Sequence, residues 1–310
     1  LLDLGAGDNS IEIVGDRIVR GRGGRGGRSF VAEFSKPFKS FGTFRQHPPR
    51  LEGARVRRDD AIYAGERNAS GSYAGAYLEF ATTAGEVVLV RVTGGRNFDV
   101  AQEQLDAEPR DFAVAHQTAR QAWAEKLDLI QIKGGTEQER EMFYSTLYHS
   151  LLTPRLITKK GTPQRGRNSE GRVADYDRYS PIALWDTGRN QVVLLTLLEL
   201  EVKTNILRTH LEMARESGWM HTSFHGDNAV LMYLGAWERG VPFDYASVYE
   251  HLRKNAMDSA GPRGCLAEYL ERGWVHDAFQ EHPSPPRADG DAGCDKTLEY
   301  AWSDYAIALY

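Results

Sequence analysis

The spacing of the apolar residues changes character near residue 98, and no other feature of the chain restricts its fold so much. Before that point apolar and polar residues alternate. Ile11 to Val14 is short and β-branched, and Ser29 to Phe34 sets Phe30, Ala32 and Phe34 on one side. Ala76 to Phe80 and Glu86 to Val92 read as further strands, and Gly, Asp and Asn clusters separate them. After that point apolar residues recur three and four positions apart. Helical patterns cover 100–129, Thr136 to Pro154, then 191–200, 203–216, 228–238, 244–257 and 266–271, with a last helix from Thr297 to Tyr310. Strands followed by helices predict an antiparallel sandwich joined to an all-α region rather than βαβ units.

Local chemistry marks the helix ends. Thr136 and Glu139 stand three apart as a capping box, and Pro154 closes that helix. Gly218, Gly240 and Gly273 stand where helices should stop, and the short connections predict antiparallel helical hairpins. Residues 155–180 read as a long polar loop.

A length of 310 residues suffices for two domains. The net charge of −5 argues against a general binder of nucleic acid or anionic membranes. No apolar run is long enough for a membrane-spanning helix. Cys265 and Cys294 read as free or buried thiols, with a disulfide left open, and no Cys or His flanks either at zinc-ligand spacing. The chain opens on Leu1 and closes inside an amphipathic pattern of Leu298, Trp302, Tyr305 and Leu309, so truncation at both ends is expected. The lack of a targeting signal therefore says nothing about compartment.

Few stretches suggest chemistry. Gly21 to Gly26 (GRGGRG) fits a dinucleotide fingerprint in letters, but a strand follows it where that site needs a helix, so it reads as a hairpin loop. Leu184 to Arg189 (LWDTGR) sets an aromatic face, a carboxylate and a guanidinium together, which suits a sugar ring and its vicinal hydroxyls. A packed Trp beside a local Asp–Arg pair fits the same letters. Asp227, in His225 to Asn228, reads either as the cap of the following helix or as a polar pocket residue. Glu299 and Asp304 are five apart and so do not stack on one helix face, while His149 and His210 read as structural. No Ser/His/Asp or Cys/His set has a supporting signature.

Several of these segments, in order, resemble glycoside hydrolase family 92, the calcium-dependent exo-α-mannosidases. Phe30 to Phe44 (FVAEFSKPFKSFGTF) is similar to the β-sandwich domain of that family, and Gly134 to Pro154 to the opening of its helical domain. Leu184 to Leu198 resembles its LWDT-F/Y-R segment, Gly226 to Ala229 its GDHA element, and Lys296 to Asp304 its KTLEYAYDD element. The resemblance implies a partial β-sandwich over residues 1–97, a helical linker over 98–133, and the first part of an (α/α)6 barrel over 134–310. It implies removal of terminal mannose, with α-1,2 linkages expected, from mannose-containing glycans by calcium-assisted inverting hydrolysis in a secreted, periplasmic or cell-surface protein. Asp186 matches a carboxylate that contacts the terminal sugar, with Trp185, Arg189 and Asp227 beside it. No catalytic acid, base or metal ligand carries over; these are expected beyond Tyr310. Gly188 stands where the family has an aromatic, and Asn228 where it has His. Rival readings are a carbohydrate-binding remnant without turnover, which mannose binding insensitive to calcium would favour, and a trehalase-like α/α-barrel glycosidase, which glucose release would favour. An incomplete helical ring would leave an apolar face unburied, so the isolated chain is expected to fold poorly.

Overall fold

The structure, a computed structural model, describes residues 2–4, 7–23, 27–45, 50–52, 55–57, 61–162, 173–222, 226–276 and 293–310. The chain divides into two compact units, Leu1–Glu125 and Lys126–Tyr310.

Among the described residues, eleven strands build the first unit. They are β1 (Leu2–Asp3), β2 (Ser10–Val14), β3 (Ile18–Gly23), β4 (Arg28–Phe34), β5 (Ser40–Arg45), β6 (Arg50–Glu52), β7 (Arg55–Arg57), β8 (Ala61–Ala64), β9 (Asn68–Ser70), β10 (Ala74–Glu79) and β11 (Val90–Gly95). A five-stranded sheet runs β11-β4-β3-β2-β9 and a four-stranded sheet β1-β10-β5-β8, with every pairing antiparallel; β6 and β7 form a separate ribbon. Ile11, Ile13 and Val19 of the larger sheet pack with Ala74 and Ala76 of the smaller, as strand alternation requires. Phe34, Phe38 and Phe80 close one end of this core, with ring centroids 5.4–5.6 Å apart. The opposite face of the larger sheet packs Val31 against Ala101 and Leu105 of α1 (Phe98–Ala107).

The structure redraws three sequence expectations here. The strand expected over 86–92 lies over Val90–Gly95. Glu86 folds back to accept from the Thr83 amide (3.0 Å), and pairing with β4 extends the strand forward instead. The single helix expected over 100–129 is two, α1 and α2 (Phe112–Leu127). Pro109 forces Glu108 into an extended conformation, and the Asp111 carboxylate restarts the helix by accepting from the Val114 amide (3.1 Å). Half of the expected GRGGRG loop is strand: β3 runs to Gly23 and forms a hairpin with β4. At Gly21 a Cβ would come within 2.5 Å of the Phe30 ring. Residues 24–26 lie outside the described residues.

The second unit is helical. α3 (Glu137–Leu151) opens with the expected capping box, Thr136 and Glu139 satisfying each other's amides. Within the polar loop of 155–180, β12 (Leu156–Thr158) pairs with β13 (Arg178–Tyr179). There follow α4 (Leu184–Thr187), α5 (Gln191–Leu198), α6 (Leu200–Ser217), α7 (Ala229–Glu238), α8 (Tyr245–Met257), α9 (Leu266–Arg272) and α10 (Gly293–Leu309). Gly218, Gly240 and Gly273 all take positive φ (83°, 70° and 80°) at the expected stops. The apolar run of 191–200 is divided at Glu199, whose backbone leaves the helical region (φ −142°) and whose carboxylate pairs with Lys126. α7 is apolar on nearly every side and contacts α5, α8 and α10. Its Tyr233 hydroxyl donates to the Leu207 carbonyl at 2.7 Å.

The apolar stripe expected on the last helix faces outward. Leu298, Trp302, Tyr305 and Leu309 are exposed, while Tyr300, Ser303 and Ala306 are buried. Cys265 and Cys294 are free and exposed. Residues 277–292 lie outside the described residues. Among the described residues no helix is long and apolar enough to cross a membrane.

Candidate functional site

α4 is a single turn whose orientation is set by Leu184, which is buried in the helical core. With Leu184 pointing inward, Trp185, Asp186 and Arg189 are exposed, Trp185 by 39%. The turn is closed by the Gly188 amide donating to the Leu184 carbonyl (2.9 Å) and by Asn190, whose side chain accepts from the Gln191 amide. Gln191 in turn donates to the carbonyls of Ser150 and Thr153, both at 2.5 Å, which ties this segment to the end of α3.

A carboxylate of α10 meets this turn. Oε1 of Glu299 accepts from Trp185 Nε1 at 3.0 Å and from Arg189 Nη2 at 3.4 Å. Oε2 is buried without a hydrogen-bond partner among the described residues. Gly226 presses on the same side chain. Its φ is +77°, and a Cβ there would lie 2.8 Å from Glu299 Cβ, so conformation and space both demand glycine.

Asp227 lies beneath the surface. Its amide donates to Ser303 Oγ (3.3 Å), and its carboxylate faces Arg263 Nε at 3.5 Å, with both side chains fully buried. It does not cap α7, which has no side-chain cap. Burial pushes the Asp227 carboxyl up to about 6, against the pull of the Arg263 guanidinium. Arg263 also donates to Asp304 (2.6 Å) and lies over the Tyr300 ring. Burial raises the Tyr300 phenol to about 12.

Trp185, Asp186 and Arg189 thus share one exposed turn. Asp227 touches the same helix, α10, through Ser303, with its carboxylate enclosed. Glu299 joins Trp185 to Arg189, a role the sequence does not show because its partners are 114 and 110 residues away. Glu299 and Asp304 serve different partners. His210 is fully buried and lowered to about 3 by burial, with the ring of His221 5.6 Å away. Nδ1 of His149 contacts the Ser145 carbonyl of its own helix. His225 lies outside the described residues. Among the described residues no three His, Cys, Asp or Glu side chains gather as a cation site, so these residues do not fit a calcium cage.

The chain as a whole has counterparts among known proteins. The glycosyl hydrolase family 92 catalytic domain matches residues 100–310. A family GH92 inverting mannosidase from Bacteroides thetaiotaomicron superposes with a TM-score of 0.77 at 26% identity, covering 99% of this chain and 42% of that one. A family GH92 α-mannosidase of the same organism superposes at 0.78 and 24% identity, covering 98% and 41%, and has also been solved with mannoimidazole. An uncharacterized secreted glycosidase of Arthroderma benhamiae is 22% identical over 261 residues, 76% of this chain and 29% of that protein. The antiparallel sheets followed by helices agree with the fold of the solved relatives, of which this chain spans about two-fifths. With the catalytic-domain match covering well over half of its residues, the chain belongs to glycosyl hydrolase family 92.

Proposed function

We propose that the protein carrying this chain is an exo-acting α-mannosidase that removes terminal mannose from glycans by inverting hydrolysis, with a preference for α-1,2 linkages. The observation that carries this reading is the shared turn of Trp185, Asp186 and Arg189, braced by Glu299. An indole offers its face to the C–H side of a pyranose, a carboxylate accepts from two neighbouring hydroxyls, and a guanidinium donates to a third. Asp227 supports the site from below through the Gly226–Asn228 turn. The domain reading is a sandwich over residues 1–97, a linker over 98–133 and the first part of an (α/α)6 barrel over 134–310. Secretion accords with the secreted relative.

Inversion needs two carboxyl groups about 6.5–9.5 Å apart, one protonating the leaving oxygen and one activating water. None of the described carboxylates is assigned to either role. Calcium, which the family reading includes, takes its ligands from outside the described residues.

A specific feature favours a second reading, sugar binding by this chain without turnover. Glu299 is engaged by Arg189 and Asp227 is buried, so Asp186 is the exposed carboxylate of the group, one short of the two that hydrolysis uses. Incubation with α-1,2-mannobiose, with and without a chelator, decides between the two. Chelator-sensitive release of mannose supports hydrolysis; calorimetric binding of mannose without release supports the second reading. A protein that neither binds nor releases mannose would overturn both readings.

A further inference from the structure

We propose that Glu299 is the positioning residue of this site: one carboxylate oxygen fixes both the Trp185 indole and the Arg189 guanidinium, so a side chain of α10 sets the sugar contacts made by α4. The proposal deepens the mannose-site reading and rests on it for the identity of the ligand.

α4 has four residues, and one isolated helical turn has little stability of its own. Leu184 and the Gly188 amide hold the backbone of the turn. The side chains of Trp185 and Arg189 reach one oxygen, Oε1 of Glu299, at 3.0 and 3.4 Å. A shared acceptor couples them, since neither donor can swing away without changing the field at the other. The acceptor itself is held: the Glu299 side chain is 17% exposed, and Gly226 crowds its Cβ. Oε2 is buried with no partner among the described residues, so the carboxylate is oriented by the contacts of Oε1 and by the Gly226 backbone. Glu299 is placed to act through Trp185 and Arg189 rather than on the sugar.

The test uses the protein that carries this chain, labelled with 15N-tryptophan, the Trp185 indole signal being identified by its loss in Trp185→Phe. In Glu299→Ala that signal moves toward the position of an indole free of a charged acceptor, and in Glu299→Gln it moves partway, while the other indole signals stay in place. Methyl α-mannoside binding, followed by calorimetry, weakens about tenfold in Glu299→Ala, as loss of a charged acceptor predicts. Arg189→Ala weakens binding in the wild-type background but changes it less than about twofold when Glu299 is already Ala, because neighbouring groups that act as one are not additive. A Trp185 signal unmoved in both Glu299 variants overturns the proposal. An equal penalty for Arg189→Ala in both backgrounds overturns it too. If methyl α-mannoside does not bind the wild-type chain, the mannose reading falls, and the indole signal still decides the anchor: movement supports it, immobility ends it. Glu299→Gln, which is isosteric, keeps the test decisive if the Ala variant unfolds.

Discussion

At the residue scale, the charges placed under the site are costly to bury. Asp227 has a carboxyl raised to about 6 from an ordinary 3.8, so the folded state holds its proton more tightly than the unfolded chain. Stability therefore falls as pH rises from about 4 to 6, by on the order of 3 kcal/mol in all. Urea unfolding at pH 4.5 and 7.5 should show about two-thirds of this loss, roughly 2 kcal/mol, in the wild type and a smaller one in Asp227→Asn. Lys203 is a second case. It sits in the helical core with one bond, to the Met232 carbonyl at 3.4 Å, and burial lowers it to about 7 from 10.5. Above pH 7 the folded state sheds this proton before the unfolded chain does, so stability gained from Lys203 appears only as pH climbs toward 10. Lys203→Met is expected to raise the melting temperature at pH 7 and to flatten the dependence above it. What was legible at this scale was contiguous: Trp185, Asp186 and Arg189 lie within five positions and fold as one turn. Asp227 was ambiguous in sequence, because an Asp before an apolar run suits a cap as well as a pocket, and only its burial against Arg263 decides.

At the scale of helices and strands, sequence reading did best where an end is written in local chemistry. Thr136 and Glu139 cap α3 as their spacing indicates, and Thr136→Ala should cost about 1 kcal/mol in denaturant unfolding. Gly218 ends α6 at φ 83°, so Gly218→Ala should cost a similar amount, on the order of 1 kcal/mol, by forcing a side chain into the left-handed region. Less legible were boundaries set by distant partners. β11 is shifted because its extent is fixed by pairing with β4, some sixty residues earlier. β1, β3 and β5 to β9 went unread because most are short or Arg- and Gly-rich and gain their order from pairing with neighbours. Pro109 was a local signal in plain view, and it outweighs the helical period on either side of it.

At the scale of the whole chain, the α10 face of Leu298, Trp302, Tyr305 and Leu309 is open. Four large apolar side chains along one helix face form a contiguous adhesive strip. The isolated chain is expected to self-associate and to bind a hydrophobic dye, and sedimentation should show the mass falling toward 34.7 kDa when Leu298 and Trp302 are changed to Lys and Ser. A monodisperse wild-type chain at tens of micromolar would contradict this.

The bond between Trp185 and Glu299 carries a consequence in time. The two residues are separated by 114 positions, so Trp185 leaves the ribosome well before its acceptor exists. During synthesis the α4 turn must wait without its brace while more than a hundred further residues are added. The sugar-facing surface is therefore a late product of translation, and a nascent chain halted before residue 299 would display Trp185 and Arg189 without the order that lets them act together.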